Sequence, residues 1–206
     1  MNYFIPFLFL LLSACATLKP HSLQESLRFI NLEGEGRGRI GYVDQNYLFR
    51  FESVFQDKRW LLNLTVPMHG EELLIFEELD KKISNGKMQS LEQQIDRSVK
   101  KQTNLRELQD VNVISHLRSL VRFAQAHKLG LSVICQNHKC YLDEEEFLVT
   151  PISDGVELRK YIKDNYYVEL AALYLEKNSY SRTNFFLKKE KSKKNLFSLE
   201  LFWKNK

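Results

Sequence analysis

The chain has 206 residues, of which 44% are apolar and 27% charged, with a net charge of +4. That length and balance suit one ordinary globular domain with a real core. A surplus this small is no argument for nucleic acid as a partner. The chain opens with an apolar run over residues 3–12, closed by Leu12-Ser13-Ala14-Cys15. A membrane-spanning helix needs roughly 20 apolar residues, so the run reads as the core of a signal peptide. No Lys or Arg precedes it. A buried N-terminal strand or helix, and an ordinary secretory signal cut near Ala14 or Ala16, are the rival readings.

Leu12-Ser13-Ala14-Cys15 resembles the lipobox of bacterial lipoproteins. The resemblance implies that residues 1–14 are removed, that Cys15 carries acyl chains, and that residues 15–24 form a lipidated tether. Each buried CH2 contributes about 0.8 kcal/mol, so several chains give a durable anchor. Ala16 follows the cysteine, where Asp would favour the inner membrane. By resemblance this points to the outer membrane, with the domain facing the periplasm.

Residues 25–206 read as a single domain. A short helix opens near Ser22 and Leu23 and stops at Gly34. Strands are expected at 37–43, 47–54, 60–66 and 72–79, separated by turn-forming breaks. Tyr47, Phe49 and Phe51 share one face of the second strand, and Trp60, Leu62 and Leu64 share one face of the third. The glycines of Gly34-Glu35-Gly36-Arg37-Gly38 precede a strand rather than a helix. That excludes a nucleotide loop and suggests a bend, a bulge or close backbone approach at the sheet edge.

Residues 88–100 have helical period, with Met88, Leu91, Ile95 and Val99 on one stripe. A stronger stripe, Val113, Leu117, Leu120, Val121 and Ala124, marks a second helix closed by Gly130. Short strands follow at 131–135, 140–142 and 147–150. Asp154 reads as the cap of a short helix over 156–162. Three late strands span 166–176, 183–190 and 195–203. Lys188, Lys189, Lys191, Lys193 and Lys194 cluster around one turn. They form either a solvated hairpin tip or a surface for anionic head groups. The order is α+β: one antiparallel sheet with helices on one face, enclosing a packed core or a cavity.

Little in the chain suggests catalysis. Five histidines are scattered, no Gly-x-Ser-x-Gly elbow is present, and Asp143-Glu144-Glu145-Glu146 lacks the Gly and alternating oxygens of a calcium loop. A non-enzyme is expected, with no cofactor and no metal. With Cys15 given to lipid, Cys135 and Cys140 remain. Their spacing fits a disulfide across a short hairpin in an oxidising compartment. The rival is a metal site with His138 as third ligand, which lacks a second Cys or His pair nearby.

Arg37-Gly38-Arg39-Ile40-Gly41-Tyr42, Phe49-Arg50-Phe51, Gln56-Asp57-Lys58-Arg59-Trp60 and the run from Leu61 to Gly70, with Glu72-Leu73, resemble the first sheet of LolB-like proteins. These belong to the LolA/LolB lipoprotein-carrier group. The resemblance is carried mainly by residues 37–78. It implies a curved sheet, a half-open β-barrel with helices covering its concave face, and an apolar cavity lined by Tyr47, Phe49, Phe51, Trp60, Leu62 and Leu64. It implies acyl chains of lipoproteins or lipids as ligands, and a periplasmic carrier protein as a partner. It places Pro67 and Met68 on a membrane-contacting tip, Met68 in the apolar position and His69 where the family tends to have Gly; the alternative is that Met68 packs back onto the sheet. The expected function is to receive or insert lipoproteins at the outer membrane. The alternative, from a different class, is a non-catalytic structural or interaction lipoprotein of the cell envelope with a filled core.

Overall fold

The computed structural model describes residues 23–28, 30, 32–42, 45–66, 70–76, 79–80, 112–163, 165–175, 179–192 and 195–204. Residues 1–14, Cys15, most of the tether, the Pro67-Met68 tip, the 88–100 helix, Lys193 and Lys194 lie outside them.

Helix α1 (Leu23–Arg28) leads into β1 (Gly34–Tyr42), β2 (Gln45–Gln56), β3 (Arg59–Val66) and β4 (Gly70–Phe76). Helices α2 (Val113–Ala124) and α3 (Ala126–Leu129) follow. The rest is β5 (Ile134–Gln136), β6 (Lys139–Leu142), β7 (Glu145–Ile152), β8 (Gly155–Lys163), β9 (Tyr166–Leu175), β10 (Ser179–Lys189) and β11 (Asn195–Trp203). These eleven strands form one sheet in the order β4-β3-β2-β1-β11-β10-β9-β8-β7-β6-β5. Every pairing is antiparallel. Among the described residues β4 and β5 end the sheet, which stays open.

Pairing of β1 with β11 joins the two ends of the domain, Ile40 opposite Leu199 and Gly38 opposite Leu201. The four-strand meander at the start and the seven-strand meander at the end thereby become one surface. Tight turns set the register. Asp57 and Lys58 both have positive φ in the two-residue β2–β3 connection, and so do Asp143 and Glu144 between β6 and β7. Two positive φ values match the right-handed twist of the flanking strands.

The glycine run is itself a strand. It lies inside the sheet, between β2 and β11, and not at an edge. Gly36 faces Phe51 and Gly38 faces Phe49 across the β1–β2 pair. A Cβ on Gly38 would stand 2.2 Å from the Phe49 ring, and one on Gly36 2.1 Å from the Phe202 carbonyl oxygen. Glycine there leaves room for the two rings to lie across β1.

The expected helix over 156–162 is strand β8. Its backbone pairs with β7 on one side and β9 on the other. Val156, Leu158 and Lys160 alternate inward, which is a two-residue period. Lys160 holds an inward position, so the alternation is not apolar throughout. Asp154 belongs to the preceding turn. Strand β7 runs on through Pro151, beyond the last residue that pairs with β6, so the missing N–H costs no ladder bond.

Helix α2 begins where the Asn112 side chain accepts the Ser115 N–H at 3.0 Å, a polar N-cap. The helix is interrupted at Gln125 and α3 closes on Gly130, φ 68°. Helix α2 packs on β8 and β9, and α1 touches β7 and β8. Leu117, Leu120, Val121 and Phe123 join Val149, Leu158, Val168 and Leu170 of the sheet in one buried cluster. Phe123 stacks on Phe147 with ring centres 4.2 Å apart.

Candidate functional site

Trp60, Leu62 and Leu64 alternate inward along β3, and Phe49 and Phe51 along β2; all five are buried. Tyr47 is half-buried at the margin. The Trp60 indole N–H donates to the Leu32 carbonyl at 3.0 Å and to Ser53 Oγ at 2.8 Å. Its ring meets Phe76 at 5.3 Å and Phe185 at 5.7 Å. Phe51 meets the Trp203 ring edge-on at 5.0 Å. The structure therefore brings the sequence-predicted lining residues together, and their neighbours in this region are protein groups.

A cleft of about 290 Å3 lies elsewhere, beside α1, the end of α2 and the approach to β5. Leu27, Phe123, Ala124, Ala126, Leu131 and Val133 supply its apolar wall. Arg28 and His127 complete its lining, and both are exposed. Burial, then the nearby charges of Lys128 and Arg28, hold the His127 pKa below its usual value. Its neutral form is therefore favoured. Lys128 is held by Glu33 at 2.5 Å. The Gln125 amide donates to the Ile30 carbonyl at 2.8 Å, tying the α2–α3 junction to the chain below α1. The cleft exists because small residues stand where the helix breaks. The sequence reading marked none of its lining residues as a site: it put Ala124 on the stripe of a core helix and Leu131 and Val133 in an expected strand.

A buried polar cluster fastens α2 to the sheet. Lys160 donates to Ser119 Oγ at 3.0 Å and to Glu145 at 2.8 Å. Burial first, and Lys160 second, push the nearby His116 pKa down to about 4. Ser119 is fully buried. The Lys160–Ser119 contact joins α2 to β8.

Cys135 and Cys140 face each other across the β5–β6 hairpin, with Cα atoms 4.1 Å apart, and are disulfide-bonded. His138 in the turn hydrogen-bonds the Val149 carbonyl through Nδ1 at 3.2 Å. Among the described residues no three His, Cys, Asp or Glu side chains are grouped to hold a metal ion. In the late basic cluster, Lys188 pairs with Glu169 at 2.5 Å and Lys189 lies over the Tyr166 ring at 5.1 Å.

The chain matches no family model, no curated protein and no solved structure.

Proposed function

We propose that this protein is a membrane-tethered lipoprotein of the LolA/LolB kind that accepts an acyl chain and helps receive or insert lipoproteins at the outer membrane. In this reading Cys15 carries the lipid anchor, the domain faces the periplasm, and the helices cover the concave face of the sheet. Pro67 and Met68 touch the bilayer, because a bare apolar tip can enter it without desolvating a charge. Acyl chains arrive from a periplasmic carrier, and no bond is made or broken.

The observation that carries the reading is the cleft of about 290 Å3, lined by apolar side chains together with Arg28 and His127, at the margin of an open sheet. Its volume lies just below the roughly 300–1,000 Å3 of ordinary ligand pockets. It has room for a segment of one chain rather than for a whole triacylated anchor. Each buried CH2 contributes about 0.8 kcal/mol, so affinity comes from apolar burial.

The test is titration of the full chain with a fluorescent fatty-acid probe. Saturable binding that weakens at least tenfold in Val133→Trp, with the melting curve unchanged, is expected. No saturable uptake by the wild-type chain would remove the carrier reading. Met68→Glu addresses the tip: wild-type lipoprotein delivery in that variant would exclude it.

A second reading, an envelope lipoprotein whose filled core only presents surfaces, is favoured by one observation. Phe49, Phe51, Trp60, Leu62 and Leu64 are buried against protein. It predicts no probe uptake at all.

A further inference from the structure

The polar face of the sheet carries cations in two settings. Arg159 of β8, Arg182 and Lys188 of β10, and Arg39 of β1 are each matched by a carboxylate. Glu169 accepts from Arg159 at 2.7 Å and Lys188 at 2.5 Å. Glu200 accepts from Arg39 at 2.6 Å and Arg182 at 2.5 Å. Both carboxylates are buried beneath these side chains.

At the Arg37–Arg50 pair of β1 and β2 the matching fails. Arg37 stands directly opposite Arg50. Residues so paired share one face, with Cα atoms about 4.5–5.5 Å apart. Both side chains are exposed, and among the described residues neither makes an ion pair or hydrogen bond. The next row holds Glu35 opposite Glu52, and Glu35 is taken by Lys204 at 2.7 Å. Like charges directly opposite each other destabilise a sheet. Two apolar side chains flank the pair on the same face. Leu48, two residues before Arg50, is 70% exposed, and Phe202, opposite Arg37, is 41% exposed.

We infer that the Arg37–Arg50 face is a docking surface for an anionic phospholipid bilayer, with the two guanidinium groups on lipid phosphates and Leu48 and Phe202 set among the head groups. Guanidinium forks match phosphate oxygens in a bidentate manner. An exposed Leu48, and the Phe202 ring with the Arg182 guanidinium over it at 4.9 Å, have a use at a bilayer surface and a cost in water. The inference goes beyond acyl-chain uptake, since it concerns a different face of the molecule and needs no ligand in the cleft.

The experiment is sedimentation of the full chain carrying Cys15→Ser with vesicles of phosphatidylcholine, alone or with added phosphatidylglycerol. Residues 1–14 are common to every variant and both vesicle types, so the preference for anionic vesicles is the readout. Each basic residue near such a surface contributes roughly 1 kcal/mol. Arg37→Ala with Arg50→Ala is therefore expected to weaken binding to anionic vesicles about thirty-fold. Arg39→Ala, whose charge is already matched by Glu200, is expected to change it less than threefold. An environment-sensitive dye on Leu48→Cys shifts to the blue on anionic vesicles, and the same dye on Ile134→Cys, at the far edge of the sheet, does not. A wild-type chain indifferent to phosphatidylglycerol overturns the inference. So does a double variant that binds as the wild type does, or a chain that ignores vesicles and is held only by an acidic protein surface.

Discussion

Beneath β2 and β3 the apolar side chains are large and their neighbours fill the space. Beside α1 and α3 alanines stand among Leu27, Phe123 and Leu131, and a cleft remains. Both regions carry apolar side chains, but the cleft lining also includes Arg28 and His127. Backbone continuity separates them as well. Phe49 and Phe51 lie across the glycines of β1, and Trp60 is fixed by two hydrogen bonds and two ring contacts. Ala124 and Ala126 sit on either side of the helix break at Gln125 and line the cleft. An apolar strand face is thus a poor guide to a ligand cavity, because strands pack on one another. A helix that ends over a sheet margin is a better one.

The sharpest way to break this contrast is to open the filled region. Trp60→Ala removes a fully buried ring and the indole N–H that Ser53 Oγ accepts, while the Leu32 carbonyl keeps the Ser53 hydroxyl as a donor. A loss of about 3–5 kcal/mol is expected in denaturant unfolding. Fatty-acid probe affinity at a temperature where the variant is folded should stay within threefold of wild type. A large gain in uptake would mean that the aromatic region, and not the cleft, is the latent cavity.

The polar cluster under α2 supplies the next effect, since it holds the helix whose end makes the cleft. The folded-state pKa of His116 is lowered from 6.5 to about 4. The unfolded chain therefore binds the extra proton first. Stability should be complete above about pH 6.5, fall by roughly 2–3 kcal/mol as the pH drops toward 4, and then level off. His116→Gln should flatten that part of the profile, as read from unfolding midpoints across the range.

The disulfide pins the hairpin at the cleft's end of the sheet. Replacing Cys135 and Cys140 with Ser together should cost about 2 kcal/mol, the loop-closure value for so short a ring. The midpoint should move alike for the wild type under reducing conditions and for the double variant without reductant. The smallest stability effect is expected from Val133→Trp, less than about 1 kcal/mol, because the new ring enters existing space. Its effect on probe binding is the large one, at least tenfold.

Much of the sheet was legible because period-two patterns survive in single strands. Phe197, Leu199 and Leu201 of β11 alternate with Ser198 and Glu200, and Trp60, Leu62 and Leu64 define β3. Strand β8 was misread because Lys160 breaks the apolar alternation from inside, and its partners Ser119 and Glu145 come from distant parts of the chain. The glycine run was misplaced at an edge because nothing local reveals that β11 returns, over a hundred and fifty residues later, to pair with it. The cleft was invisible for a related reason. Its walls come from α1, α2, α3 and the 131–133 segment, and each piece alone reads as ordinary core.

Photocrosslinking of the full chain with a diazirine fatty acid, mapped by peptide mass spectrometry, addresses the acyl-binding account most directly. The account predicts adducts on peptides carrying Leu27 and Arg28, residues 123–127 and residues 131–133, competed away by unlabelled fatty acid. Adducts confined to the β2 and β3 peptides, or none that unlabelled fatty acid competes away, would contradict it.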